Sequence, residues 1–245
     1  MNNYFIFDGV LSNHFNIVIS GESTWGAPEF DGENVSIPGR NGDLVKSNKR
    51  YKNVEFEYPC SILDTWKTDF DAFKAFAATH MSTYFRLEDT YHPGQFIMAK
   101  IKTIDSISYD DYNESGTFNL KLDRKPQRFL KDIPSRVYTA VNQKYEGTFY
   151  NHTNFEALPI VKIEGYGVVT IGKYTINIAK HTGAITIDCN KMNAYDEKGS
   201  LEANTYTGLP TGFIFLEPGD NKITLTPASG TTLKMTIVDP GLWTV

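Results

Sequence analysis

The chain has 245 residues, 40% hydrophobic and 22% charged, with a formal net charge of −5. Those values exclude general disorder, and the negative balance excludes a general nucleic-acid binder, which needs clustered Lys and Arg against phosphate. Cys60 and Cys189 are the only cysteines and lie far apart, which excludes a disulfide framework and makes a reducing compartment the simpler expectation. The first residues lack the basic start and apolar run of a secretory signal, and no apolar window approaches the roughly 20 residues needed to cross a bilayer.

Alternation with a period of two dominates and predicts a mainly β protein. Phe5 and Phe7 open it, followed by Phe15, Ile17 and Ile19. An arm is expected at about 31–46. Val35 and Ile37 lead into Pro38-Gly39, then Arg40-Asn41-Gly42, and the chain returns through Leu44-Val45. Gly39 and Gly42 accept positive φ at little steric cost, and Pro38 has no N–H to donate, so this segment can leave its own sheet before turning back. Val54, Phe56, Tyr58, Cys60 and Ile62 mark one face of a long strand. The pattern breaks once. Trp66, Phe70, Phe73 and Phe76 or Ala77 recur at spacings of three and four, predicting a helix over about 64–80 with Asp64 as N-cap.

Phe118, Leu120 and Leu122 resume the alternation. From Lys131 to Glu146 neither period is sustained, so the connection between two domains is placed there, dividing the chain into 1–134 and 135–245. The second part alternates through Ile160–Ile163, Val168–Ile171, Tyr174–Ile178, Ile185–Cys189, Phe213–Leu216, Ile223–Leu225 and Leu233–Ile237. Gly172-Lys173, His181-Thr182-Gly183, Pro218–Asn221 and Ser229-Gly230 supply the turns. Short alternating strands with turns every 8–12 residues are the signature of a sandwich.

Motifs that carry chemistry are missing. The sequence contains no GxSxG elbow, phosphate-binding loop, HExxH or paired-cysteine zinc spacing. His14, His80, His92, His152 and His181 stand apart, and both cysteines continue apolar strand faces, which reads as core. The acidic stretch Asp110-Asp111-Tyr112-Asn113-Glu114 has turn composition and reads as a solvated hairpin tip, although carboxylate pairs serve glycosidases. Trp25, Tyr195, Tyr206 and Trp243 occupy loop or terminal positions, where they either stack on sugar rings or pack in a core or interface. The reading is therefore of a non-enzymatic protein that needs no cofactor and no metal.

Several of these segments, taken in order, resemble the distal tail proteins of long-tailed, non-contractile bacteriophages of Gram-positive hosts. They are Phe5-Ile6-Phe7-Asp8-Gly9-Val10-Leu11-Ser12, the arm Ile37–Leu44 followed by Tyr51-Lys52-Asn53-Val54, Leu87-Glu88-Asp89 with His92-Pro93-Gly94, and Lys125–Phe129. Leu158-Pro159-Ile160, Ile163–Gly167, Ile185–Asp188 and Glu217–Ile223 continue the resemblance through the second half. Asn16 and Pro240-Gly241-Leu242-Trp243 depart from it. The resemblance implies an N-terminal ring-forming β-sandwich or split barrel with one helix and an extended arm, and a C-terminal galectin-like β-sandwich. It further implies a hexameric ring of self-associated copies in the virion tail, joining the tail tube protein to a tail-tip or baseplate protein. DNA would pass through the lumen without specific binding, and host saccharide is a possible contact of the tip. Val35, Ile37 and Leu44 would supply buried side chains at the joint between copies, with Pro38, Gly39 and Gly42 setting the path. Arg40 either closes a salt bridge there or stands solvated on the arm.

Overall fold

A computed structural model describes residues 3–21, 26–63, 66–110, 112, 114–201, 206–207 and 213–245, without the side chains of residues 66, 206 and 207. The chain divides into two compact units, Met1–Arg128 and Phe129–Thr244, each with its own apolar core.

The first unit opens with β1 (Phe5–Phe7), β2 (Val10–Leu11), a 3-10 turn over Ser12–Phe15, and β3 (Ile17–Ile19). Next come β4 (Phe30–Val35), β5 (Leu44–Tyr51), β6 (Val54–Ile62) and helix α1 (Trp66–Ala78). Then follow β7 (Phe85–Asp89), β8 (Gln95–Ile104), β9 (Ser108–Asp110) and β10 (Ser115–Leu130). Strands neighbour one another in the order β2-β1-β7-β8-β10-β6-β3, with β9 also on β10. Long β6 and β10 pair antiparallel from Val54↔Arg124 to Ile62↔Gly116. Residues directly opposite share a face, so Phe56, Tyr58 and Cys60 line up with Leu122, Leu120 and Phe118 in one buried layer.

α1 covers that layer. Phe70, Phe73 and Ala77 are buried at the expected spacing of three and four, and Phe73 meets Phe5, Phe15 and Phe118 at ring separations of 6.4, 5.5 and 5.9 Å. Asp69 in the first turn favours the positive end of the helix dipole and accepts from Asn16 Nδ2 at 2.8 Å. The Thr79 hydroxyl closes the far end on the Phe76 carbonyl at 2.7 Å. Asp64, the expected cap, lies outside the described residues.

The second unit contains β11 (Arg136–Val141), β12 (Tyr145–Asn151), β13 (Ile160–Glu164), β14 (Gly167–Ile171), β15 (Tyr174–Ile178) and β16 (Ala184–Asp188). β17 (Asn193–Asp196), β18 (Tyr206–Thr207), β19 (Gly219–Pro227), β20 (Thr232–Asp239) and β21 (Trp243–Thr244) complete it. Two five-stranded antiparallel sheets, β11-β20-β13-β16-β17 and β12-β19-β14-β15-β18, share one core. Val161, Ile163, Ile187 and Met235 come from one sheet; Val169, Ile171, Ile176 and Leu225 come from the other. Gly172, at φ +56, makes the two-residue turn between Ile171 and Tyr174 that its sequence predicts.

Two sequence expectations need correction. Lys131–Glu146 is no plain connection, because β11 and the start of β12 occupy it and the division falls earlier, after Arg128. The alternation there was masked because β11 buries Tyr138 and Ala140 while exposing Val137 and Val141, which inverts the usual polarity. Phe213–Leu216 is no strand either: Ile214 and Leu216 are buried, but only Leu216 bridges another segment, at Ala157.

Candidate functional site

Among the described residues β4 and β5 pair only with each other, as a two-stranded sheet apart from the other three. Every residue from Gly32 to Arg50 is exposed, and Val45 shows 60% of its surface. A two-stranded hairpin without a backing layer is marginally stable in water, so this arm invites a partner surface.

Its tip follows from sequence. The Arg40 N–H donates to the Ile37 carbonyl at 3.1 Å across Pro38 and Gly39, and Gly39 sits at φ +82. Proline at the second position and a positive-φ glycine at the third define a type II turn. Gly42, at φ +81, bends the chain again before Leu44. Among the described residues no carboxylate pairs with the Arg40 side chain.

The two faces of the arm differ in charge. Val35↔Leu44, Glu33↔Lys46 and Asp31↔Arg50 share one face, with ion pairs of 3.8 Å and 2.6 Å. Arg50, then Asn48, hydrogen-bond the Asp31 carboxyl and hold it below its usual range. Asn34↔Val45, Gly32↔Ser47 and Phe30↔Tyr51 share the other face, and none of these six residues is charged; Asn48 and Lys49 fall in the bulge, outside this register. There the Phe30 and Tyr51 rings meet edge-on at 5.5 Å, and a Cβ on Gly32 would touch both Phe30 and Val45. Val35 and Leu44 thus stand at the tip of the ion-paired face and Ile37 lies beyond the strand, while Phe30, Val45 and Tyr51, not singled out from sequence, stand on the other face. The signal was present as charge at every second residue across Asp31 and Glu33, but its meaning depends on register.

The arm's root is polar and well connected. The Lys52 N–H donates to the Glu29 carbonyl at 2.8 Å, and their side chains pair at 3.3 Å. Arg124, 2% exposed, donates from Nη2 to the Gly26 carbonyl at 3.1 Å. Asn53 Nδ2 donates to the Tyr84 hydroxyl at 2.6 Å, and that hydroxyl donates to Asp123 at 2.9 Å.

Of the aromatic candidates, Trp25 and the Tyr206 side chain lie outside the described residues. Trp243 is half-buried, stacked on Phe155 at 4.2 Å, and donates from Nε1 to the Glu156 carbonyl at 2.8 Å. Tyr195 stands opposite Thr186 in β16, which in turn faces Lys162 in β13. The structure leaves Tyr112, in the Asp110–Glu114 tip, 94% exposed, and Asp111 lies outside the described residues. The fold brings together Glu156 and Glu217, which sequence had not paired. Burial, then the Glu217 charge, raises the Glu156 carboxyl, while the Lys173 ammonium holds Glu217 down. Each carboxyl perturbs the other's titration, so the two are neighbours. Burial pushes both thiols up to about 12, so they remain protonated at neutral pH. Among the described residues no cluster of His, Cys, Asp and Glu could hold a metal, and no helix is long and apolar enough to cross a membrane.

No family model and no curated protein sequence matches the chain. Solved structures do match. The crystal structure of the SPP1 Dit protein (gp 19.1), described as a paradigm of the hub adsorption apparatus in phages infecting Gram-positive hosts, matches with a TM-score of 0.69. That match covers 96% of this chain and 98% of the other at 10% identity, so this chain has the fold of the SPP1 Dit protein. The phage P2 baseplate in its activated conformation with Ca matches at a TM-score of 0.47 and 8% identity, over 96% of this chain and 98% of that one. The same baseplate with Sr gives 0.45 at 8% identity, over 96% and 97%.

Proposed function

We propose that this chain is a structural hub component of a bacteriophage tail. Copies of it close into a ring, a hexamer, at the far end of the tail tube. The ring joins the tube to the tail tip or baseplate and leaves a channel through which DNA passes. One observation carries the reading: an exposed arm with Phe30 and Val45 on one face, in a two-stranded sheet of its own, on a chain with the fold of a phage hub protein.

A cyclic ring needs a heterologous joint, in which one patch meets a different patch on the next copy. The arm suits such a joint. Phe30 and Val45 offer the apolar contact, while the Asp31–Arg50 and Glu33–Lys46 pairs keep the opposite face in water. Pro38, Gly39 and Gly42 shape the tip, and Arg40 remains available to an acid on the adjoining copy.

Saccharide binding by the second unit has less support. Among the described residues Tyr195 is the one candidate ring on an outer sheet row, flanked by Thr186 and Lys162, with no second ring beside it.

Light scattering tests the ring. Assemblies near six times 27.6 kDa are expected, alone or with tube and tip proteins added. Phe30→Ser with Val45→Ser should lower the assembled fraction at least tenfold while leaving the circular dichroism unchanged. A strict monomer at high concentration with both tail partners present would overturn the reading.

A further inference from the structure

Two lengths of chain tie the arm to the sheet, and consecutive residues of β10 grip them. Successive strand residues point to opposite faces, so Asp123 and Arg124 work from opposite sides. On the core face, the Arg124 guanidinium donates to the Gly26 carbonyl at 3.1 Å and to the Lys125 and Pro126 carbonyls at 3.3 and 3.1 Å. On the other face, Asp123 accepts from the Tyr84 hydroxyl at 2.9 Å and from Asn53 at 3.3 Å, and Lys100 lies 3.6 Å away. Asn53 immediately precedes Val54, the residue opposite Arg124, and a Cβ on Gly26 would touch Val54. The outgoing and returning chain are thus held beside the same residue.

Burying a guanidinium against carbonyls is costly, and a well-packed apolar side chain would serve the core better. Burial, then the nearby Arg128 charge, draws Arg124 down to about 10, still charged at neutral pH. A buried cation that satisfies a carbonyl at the arm's root is therefore there for position more than for core stability.

We propose that Asp123 and Arg124 form a two-sided clamp that fixes the direction in which the arm leaves the sheet and, resting on the ring reading above, the angle between adjoining copies. Both are positioning residues.

Spin labels at Asn41→Cys on the arm and Thr103→Cys on β8 report that direction. The native thiols stay unlabelled because they are buried and protonated. Distances are measured by pulsed electron resonance with labelled chains diluted among unlabelled ones. A narrow distribution is expected in the parent, and one at least twice as wide when Asp123→Ala is combined with Arg124→Met. If that variant loses its folded circular dichroism, Tyr84→Phe, which removes only the hydroxyl linking Asn53 to Asp123, should widen the distribution to a smaller extent. An unchanged width in the folded variants overturns the clamp. A wider distribution with undiminished rings overturns its consequence for ring geometry. A parent chain that forms no rings sinks the ring reading alone, because the width is read within single chains.

Discussion

At the scale of the residue, Phe73 shows how one side chain joins several elements. It is fully buried and touches rings from β1, the 3-10 turn and β10. Its position was legible because a helix that covers a sheet must repeat its apolar residues at three and four. Phe73→Ala removes these contacts and leaves a cavity that a sheet layer cannot collapse to fill. The expected loss is about 3–5 kcal/mol, measured by urea unfolding of the first unit. Arg124 shows the opposite case. Its sequence neighbourhood, Leu122-Asp123-Arg124-Lys125, reads as a charged strand end, and only the fold turns its guanidinium towards the Gly26 carbonyl.

At the scale of the element, the arm contrasts with every other described strand pair. β6 and β10 are stabilised by a covered face, whereas β4 and β5 rely on cross-strand pairs in water, where solvent screens the charges. Asp31–Arg50 lies beside the bulge between Asp31 and Gly32. Because the folded Asp31 carboxyl is held below its ordinary 3.8, its contribution is complete above that value and disappears as pH falls through the lowered one. Hydrogen exchange should therefore show the β5 amides losing protection on acidification below 3.8, before those of β6. Asp31→Asn should lose the same protection at neutral pH and respond little to further acid. Equal protection of parent and variant at both pH values would remove the pair from the account. The turn chemistry of Pro38 and Gly39 was legible, since those residues favour few conformations. Which residues share a face of the arm was not, since a shift of one residue in register would have exchanged the faces.

At the scale of the whole molecule, two cores divide the chain where sequence alternation did not. Leu130 and Ile133 pack against the second core, and the Leu130 N–H donates to the Leu242 carbonyl at 2.9 Å. A fragment of residues 129–245 is expected to fold by itself. One of residues 135–245, cut at the place suggested by composition, should be less stable by about 2 kcal/mol from two lost apolar contacts. Comparing their melting temperatures checks this, and equal values would return the boundary to Pro134.

The sequence by itself determined the β class, the helix, the turns at Gly39 and Gly172, and the burial of Cys60 and Cys189. Each depends on local periodicity or on the φ preference of a single residue, and so needs no distant partner. Tertiary structure alone decided which residues pair across the arm, where the first core ends, and that Glu156 neighbours Glu217 while Trp243 stacks on Phe155. Those outcomes depend on strand register and on residues far apart in the chain, and a period of two does not encode which strands will meet.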